Sequence, residues 1–248
     1  DLTSDLIGEF PELQGIMGGY FSDHQGFDKD ISLAITEQYL PIGLISKIPR
    51  KPFSIALSIT DKIDTIVGFF GINEKPSSSK DPLALRRTAL GIIRTLIENK
   101  KNFKLNDLLN YSSRLYEDQG YNLANKSLQK ELQDFFKDRF KYYLKEKEIR
   151  YDIIDASISS FSVNKLFSSF EKARCLNKII NTQMGIDITS SYEGASNILE
   201  SEMKNHQIEI DNTTDPGIFK TDFEKELYKK INEIKKYYTT INNDENYE

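Results

Sequence analysis

The sequence predicts an all-α chain, and three observations carry that reading. Apolar residues recur at three- and four-residue steps through one segment after another, sustained two-residue alternation is almost absent, and several helix starts are marked by capping residues. The first clear segment, Asp28 to Leu40, carries Ile31, Ala34, Ile35 and Tyr39 at helical spacing; it opens on Asp28 or Asp30 and is stopped by Pro41. Residues 41–52 read as a loop punctuated by Pro41, Gly43, Pro49 and Pro52. Phe53 to Phe70 is the most apolar stretch, with apolar side chains over most of its helical surface, which predicts a helix buried on several sides. Gly71 fits the position just past its end, and Asn73 to Lys80, with Pro76 and three serines, reads as an exposed loop.

The next helix is expected to open on Asp81 as N-cap and Pro82 as first helical residue, because proline lacks the N–H that would be unpaired there and already holds a helical φ. It runs to about Glu98. Leu85, Ala89, Ile92 and Leu96 form one apolar stripe, Leu83, Leu90 and Ile97 a second, and Arg87, Gly91 and Arg94 share a third face, so this is a packed helix with a cationic edge. Lys104 onward gives Leu105, Leu108, Leu109, Tyr111 and Leu115 before a polar break near Asp118-Gln119-Gly120. From Leu128 to Leu144, Leu132, Phe135, Phe136, Phe140 and Tyr143 line one side of a long amphipathic helix whose outer face is lysine and glutamate. Val163 to Met184 repeats the pattern, and a last helix begins at Thr221, where Thr221-Asp222-Phe223-Glu224 fits a capping box and Phe223, Leu227, Ile231, Ile234 and Tyr238 line the inner side. Glu202 to Phe219 is expected to be a mobile loop, and the acidic Asn242 to Glu248 to fray.

A chain of 248 residues can bury a core and hold one or two domains. No run of about 18 or more apolar residues occurs, and the N-terminus lacks the basic and apolar regions of a signal peptide, so a soluble cytoplasmic protein is the default. The single Cys175 excludes an internal disulfide framework; as a nucleophile it would need His24 or His206, and a small core residue is the expected role. The net charge of −5, divided as −1 over residues 1–110 and −4 over 111–248, excludes a polycationic nucleic-acid module while leaving local basic patches open.

Three blocks stand in order along the chain: Gly8-Glu9-Phe10-Pro11-Glu12-Leu13-Gln14-Gly15-Ile16-Met17-Gly18, Thr60-Asp61-Lys62-Ile63-Asp64-Thr65, and Lys80-Asp81-Pro82-Leu83-Ala84-Leu85-Arg86-Arg87-Thr88-Ala89-Leu90-Gly91. On these blocks, with Gly71 and Pro76 between them, the chain resembles the β subunit of the bacterial tetrameric glycyl-tRNA synthetase. The resemblance implies an internal or C-terminal fragment of a longer protein, with the later part of an HD-like helical domain over residues 1–130 and a partial helical anticodon-binding-type domain over 131–248. It further implies an α2β2 assembly in the cytoplasm, away from membranes. There the α subunit activates glycine with ATP and Mg, while this chain positions tRNA(Gly), binds no cofactor itself and holds no catalytic residue. Consistent with that, the sequence offers no phosphate-cradling Gly-rich loop and no class-I signature. Ser196-Asn197-Ile198-Leu199 fits a block of the second domain, but Glu193-Gly194 stands where a basic pair belongs, which weakens a claim of anticodon contact there.

Asp61 and Asp64, three residues apart, share one helix face. In the HD phosphohydrolases such an aspartate completes a metal site with a His-Asp pair; here His24 is followed by Gln25 and His206 by Gln207, so the resemblance implies a degenerate site with no metal. The structural alternative is an ion pair from Asp61 or Asp64 to Arg86, because carboxylates on a nearly all-apolar helix are costly unless paired. Lys80, Arg87 and Arg94 are the residues expected to reach tRNA phosphate. Tyr142, Tyr143 and Phe170 could stack on unpaired bases but default to core, and Lys165, Lys172, Arg174 and Lys178 default to a solvated face. Two rival functions stay open: a divalent-metal phosphohydrolase using Asp61 or Asp64, and a non-catalytic helical interface module.

Overall fold

The computed structural model describes residues 4–43, 45–77, 79–159, 161–206 and 214–244, and all regular structure among these described residues is helical. The chain divides into two compact units after Ala173. The first contains α1 (Asp5–Glu9), a 3-10 turn (Pro11–Leu13), α2 (Ile16–His24), α3 (Lys29–Glu37), α4 (Pro52–Gly71), α5 (Leu85–Glu98), α6 (Leu105–Asp118), α7 (Leu128–Glu146), α8 (Tyr151–Ser159), a 3-10 turn (Val163–Lys165) and the start of α9 (Leu166–Ile179). Helix α4 is the axis of this unit: it packs against α3, α5, α6 and α7, as a helix apolar on most sides must. Ile66 and Val67 of α4, Ile92 and Ile93 of α5, Leu105 and Leu109 of α6, and Phe136 and Phe140 of α7 are all withdrawn from solvent. Each such side chain contributes about 1.5–3 kcal/mol of transfer free energy.

Local chemistry sets the boundaries. Asp28 caps α3 as expected, its Oδ1 accepting from the Asp30 amide at 2.8 Å. At α5 the expectation needs correcting, because Pro82 and Leu83 form a turn, Ala84 takes a left-handed φ of 54°, and the helix begins at Leu85. Asp81 caps it from outside: Oδ1 accepts from the Leu85 amide at 2.9 Å and Oδ2 from the Arg86 amide at 3.0 Å. Gly71 is the last residue of α4 rather than the one past its end; its bare Cα lets Leu123 pack close, and its carbonyl accepts from the Asn125 amide at 3.2 Å. Helix α7, with which the second sequence-predicted domain opens, packs on α4 and α5 within the first unit.

In the second unit, the single helix expected from Val163 to Met184 is broken. Helix α9 stops at Ile179, and α10 (Gln183–His206) starts after a turn in which Thr182 Oγ1 accepts from the Gly185 amide at 3.3 Å. Residues 207–213 of the expected loop lie outside the described residues, as do 245–248 at the acidic end. After a 3-10 turn (Pro216–Ile218), α11 (Asp222–Asp244) opens on the predicted capping box: Thr221 Oγ1 accepts from the Glu224 amide at 3.2 Å, and Glu224 Oε2 from the Thr221 amide at 2.6 Å. The stripe expected to face inward does not: Phe223, Leu227, Ile231, Ile234 and Tyr238 are all exposed. Among the described residues beyond Ala173, Gly185 alone is buried.

Helices α2 and α3 approach through small residues, with Ser32 Oγ donating to Ser22 Oγ at 2.9 Å and a Cβ on buried Gly19 set to collide with Thr36 Oγ1. Gly19→Val should therefore push α2 off α3 and destabilise the first unit by about 1–3 kcal/mol, measured as a lower urea midpoint at unchanged slope.

Candidate functional site

A cleft of about 560 Å³ opens between α5, α7 and the corner after α3. Helix α5 presents Arg86, Arg87, Leu90, Gly91 and Arg94 to it, and α7 presents Arg139 and Tyr142; Pro41, Gly43 and Asp81 complete the wall. The face shared by Arg87, Gly91 and Arg94 in the sequence is thus the cleft wall. Four guanidinium groups meet one carboxylate there, and that carboxylate already accepts from two helix amides.

The four arginines are not equivalent. Arg94 is 6% exposed: its Nε donates to Glu98 Oε1 at 2.9 Å, Nη2 to the Ser46 carbonyl at 2.9 Å, and Nη1 to the Gly43 carbonyl. The expectation that Arg94 reaches RNA is therefore corrected; it is fastened to the Gly43 and Ser46 carbonyls. Arg86 donates to the Ser77 carbonyl. Arg87 is exposed and makes no hydrogen bond or ion pair among the described residues. Arg139 keeps its Nε buried with no hydrogen-bond partner among the described residues, and its guanidinium stands 5.8 Å from the Tyr142 ring centroid. Burial and the neighbouring Arg86 charge push the Arg139 pKa below its ordinary value. Tyr142 is raised by burial and by the Glu146 carboxylate.

A second buried cation shapes the same corner. Lys62 is 6% exposed, and its Nζ donates to the Gln38 carbonyl at 3.0 Å, the Leu40 carbonyl at 2.9 Å and Ser58 Oγ at 2.8 Å. Burial pushes its pKa down to about 8, with the Asp61 charge opposing. Gly91 leaves room for it, since a Cβ there would stand 3.2 Å from Lys62 Cε.

The expected ion pair between Asp61 or Asp64 and Arg86 does not form. Asp61 Oδ1 accepts from Gln38 Nε2 at 2.9 Å, and exposed Asp64 rims a separate apolar hollow in which the Tyr116 hydroxyl donates to the Asp64 carbonyl at 3.2 Å. Register explains the miss. Arg86 shares a hollow with Phe70, six residues beyond Asp64, and at about 1.5 Å per residue that separation is about 9 Å along the helix. Among the described residues no three His, Cys, Asp or Glu side chains gather closely enough to hold a metal ion, so the two carboxylates lend the phosphohydrolase reading no support.

Lys80 is exposed on the loop before α5, where its amide donates to Ser77 Oγ at 3.1 Å. Tyr143 is buried with Phe170 packed 5.7 Å from it, so only Tyr142 of the expected aromatic set lines the cleft. Lys172 and Lys178 are exposed on α9, Lys165 is exposed in the turn before it, and Cys175 is half-buried. The His206 side chain lies outside the described residues. Sequence reasoning missed Arg139, although a signal existed: it is the lone arginine of a lysine-rich helix, one turn before Tyr142.

Residues 1–159 match the family model described as glycyl-tRNA synthetase beta subunit. Over 235 residues the chain is 39% identical to the glycine–tRNA ligase beta subunit of Rickettsia canadensis, covering 94% of this chain and 33% of that protein. The counterpart from Rickettsia felis is 36% identical over 249 residues, covering 100% and 34%, and that from Dinoroseobacter shibae is 34% identical over 255 residues, covering 93% and 35%. The chain thus spans about a third of the length of the curated relatives it matches.

Two outcomes follow from the buried cations. Arg94→Ala should cost about 2–3 kcal/mol in urea unfolding, whereas Arg87→Ala, at a surface position, should stay within about 0.5 kcal/mol of wild type. For Lys62, the folded pKa of about 8 lies below the ordinary 10.5, so between those values the unfolded chain holds a proton the folded chain has lost. Its contribution to stability must then rise with pH through that window and stay flat below it. The difference in unfolding free energy between wild type and Lys62→Met should move in favour of wild type from pH 8 to pH 10.

Proposed function

The chain belongs to the glycyl-tRNA synthetase β subunit family, and we propose that it supplies a tRNA(Gly)-positioning surface of a glycine–tRNA ligase. The carrying observation is the arginine cleft, where among the described residues Arg87 makes no ion pair and the buried Arg139 Nε has no hydrogen-bond partner. A guanidinium fork matches two phosphate oxygens, so such groups fix the register of an RNA backbone without reading its sequence. Lys80, exposed on the loop before α5, adds a point charge beside the same helix start.

In this reading the work of the chain is placement. Glycine activation with ATP and Mg belongs to the α subunit of an α2β2 assembly in the cytoplasm, and this chain alone turns nothing over. Residues 1–130 are assigned to the later part of an HD-like domain and 131–248 to a partial anticodon-binding-type domain, on the strength of the family resemblance. No helix among the described residues is long and apolar enough to cross a membrane.

Salt-titrated binding of glycine tRNA to the complete α–β enzyme tests the reading. Arg87→Gln should weaken binding and lower the slope of log affinity against log salt by about one, as loss of one phosphate contact does. Arg87→Glu should weaken it further. Unchanged affinity and slope in both variants would take Arg87 off the RNA and remove the support the cleft gives.

A further inference from the structure

Arg87 and Arg139 account for an anion, but they do not account for the shape of the cleft. A backbone phosphate needs only a convex basic surface, whereas here the arginines ring a hollow of about 560 Å³ with an apolar floor. That volume falls within the range of about 300–1,000 Å³ typical of sites that enclose a small molecule. Leu90 and Pro41 supply the floor, and Gly91, lacking a side chain, keeps it open. Tyr142 is 37% exposed at the rim, with the Arg139 guanidinium over one face of its ring at 5.8 Å from the centroid. An arginine–tyrosine pair next to an apolar floor is what a nucleobase requires, because every base has a π-face and aromatic and guanidinium planes both stack on it.

We propose that the cleft takes a single unpaired nucleotide of the tRNA, with its phosphate between Arg87 and Arg139 and its base on Tyr142 and the Leu90–Pro41 floor. This rests on the preceding reading that the chain binds tRNA, and it goes further: the cleft holds a base as well as backbone. A paired nucleotide is excluded by geometry, since a base locked in a duplex offers no free face to a concave pocket. Arg94 and Arg86 stay out of the contact set because both already donate to backbone carbonyls of flanking loops.

The test uses the complete synthetase and two readouts, equilibrium binding of glycine tRNA and base-specific chemical probing of its unpaired nucleotides. Tyr142→Phe keeps the stacking ring and should bind more tightly than Tyr142→Leu. Tyr142→Leu should bind roughly tenfold more weakly and should expose to the probe one unpaired base that the wild type protects. Arg139→Lys should also weaken binding, since charge is kept and the fork is lost. If Tyr142→Leu matches wild type in both readouts while Arg87→Gln still weakens binding, the cleft touches backbone only: the nucleotide proposal fails and the tRNA reading stands. If Arg87→Gln is also without effect, both fail. Nucleoside monophosphates serve as competitors, and any that displaced tRNA at concentrations as low as its own dissociation constant would make the cleft a free-nucleotide site and overturn the proposal.

Discussion

The Lys62 ammonium is the constraint on which the first unit depends. A charge buried on the most apolar helix costs several kcal/mol unless polar groups converge on it, and here two carbonyls and a hydroxyl do. The carbonyls of Gln38 and Leu40 lie at and just beyond the end of α3, where a helix leaves its last carbonyls unpaired and favours a cation. Each liability therefore offsets part of the other, the pKa held at about 8 marking what is left, and the chain's path from α3 toward α4 is fixed as a result. Arg94 repeats the device at the next loop, gripping the Gly43 and Ser46 carbonyls. The cleft inherits its shape from these two cations, since Pro41 and Gly43 of that path form one wall.

Helix existence was legible because it is written in local terms. The 3.6-residue period of apolar residues reports which face can be buried, and Asp28 and the Thr221–Glu224 box mark starts that involve only neighbours in sequence. Where the reading slipped, a nonlocal or competing preference won. Asp81-Pro82 has the composition of a helix start, yet a turn and the left-handed Ala84 delay α5 to Leu85, and the aspartate reaches across that gap to cap it. On α11 the apolar stripe is present as read but uncovered in this chain. Periodicity states what a helix is able to bury; whether it does so depends on what is packed against it.

The candidate site was half legible for the same reason. Grouping Arg87, Gly91 and Arg94 on one face needs only helical geometry, and that face lines the cleft. Deciding that Arg94 is buried and Arg87 is not requires knowing where Gly43 and Ser46 lie, some fifty residues away in sequence. The Asp61–Arg86 pairing failed on register along α4, which no wheel of either helix contains. Arg139 comes from α7, and its meeting with α5 is a tertiary fact.

A chain with net charge −5 repels an RNA at long range, which at first weighs against the function proposed. The repulsion is short-lived in space: at physiological ionic strength the screening length is about 8 Å, so beyond a few side chains the net charge is barely felt. Within the cleft the balance reverses. Arg86 and Arg139 face one another at partial burial, where the effective dielectric is lower than in water; burial first, and the Arg86 charge after it, depress the Arg139 pKa. Guanidinium groups stay charged through such a shift, so the folded unit carries that repulsion as a standing cost. A phosphate placed between Arg87 and Arg139 relieves it, and the repulsion that weakens the empty fold becomes part of the affinity for an anion.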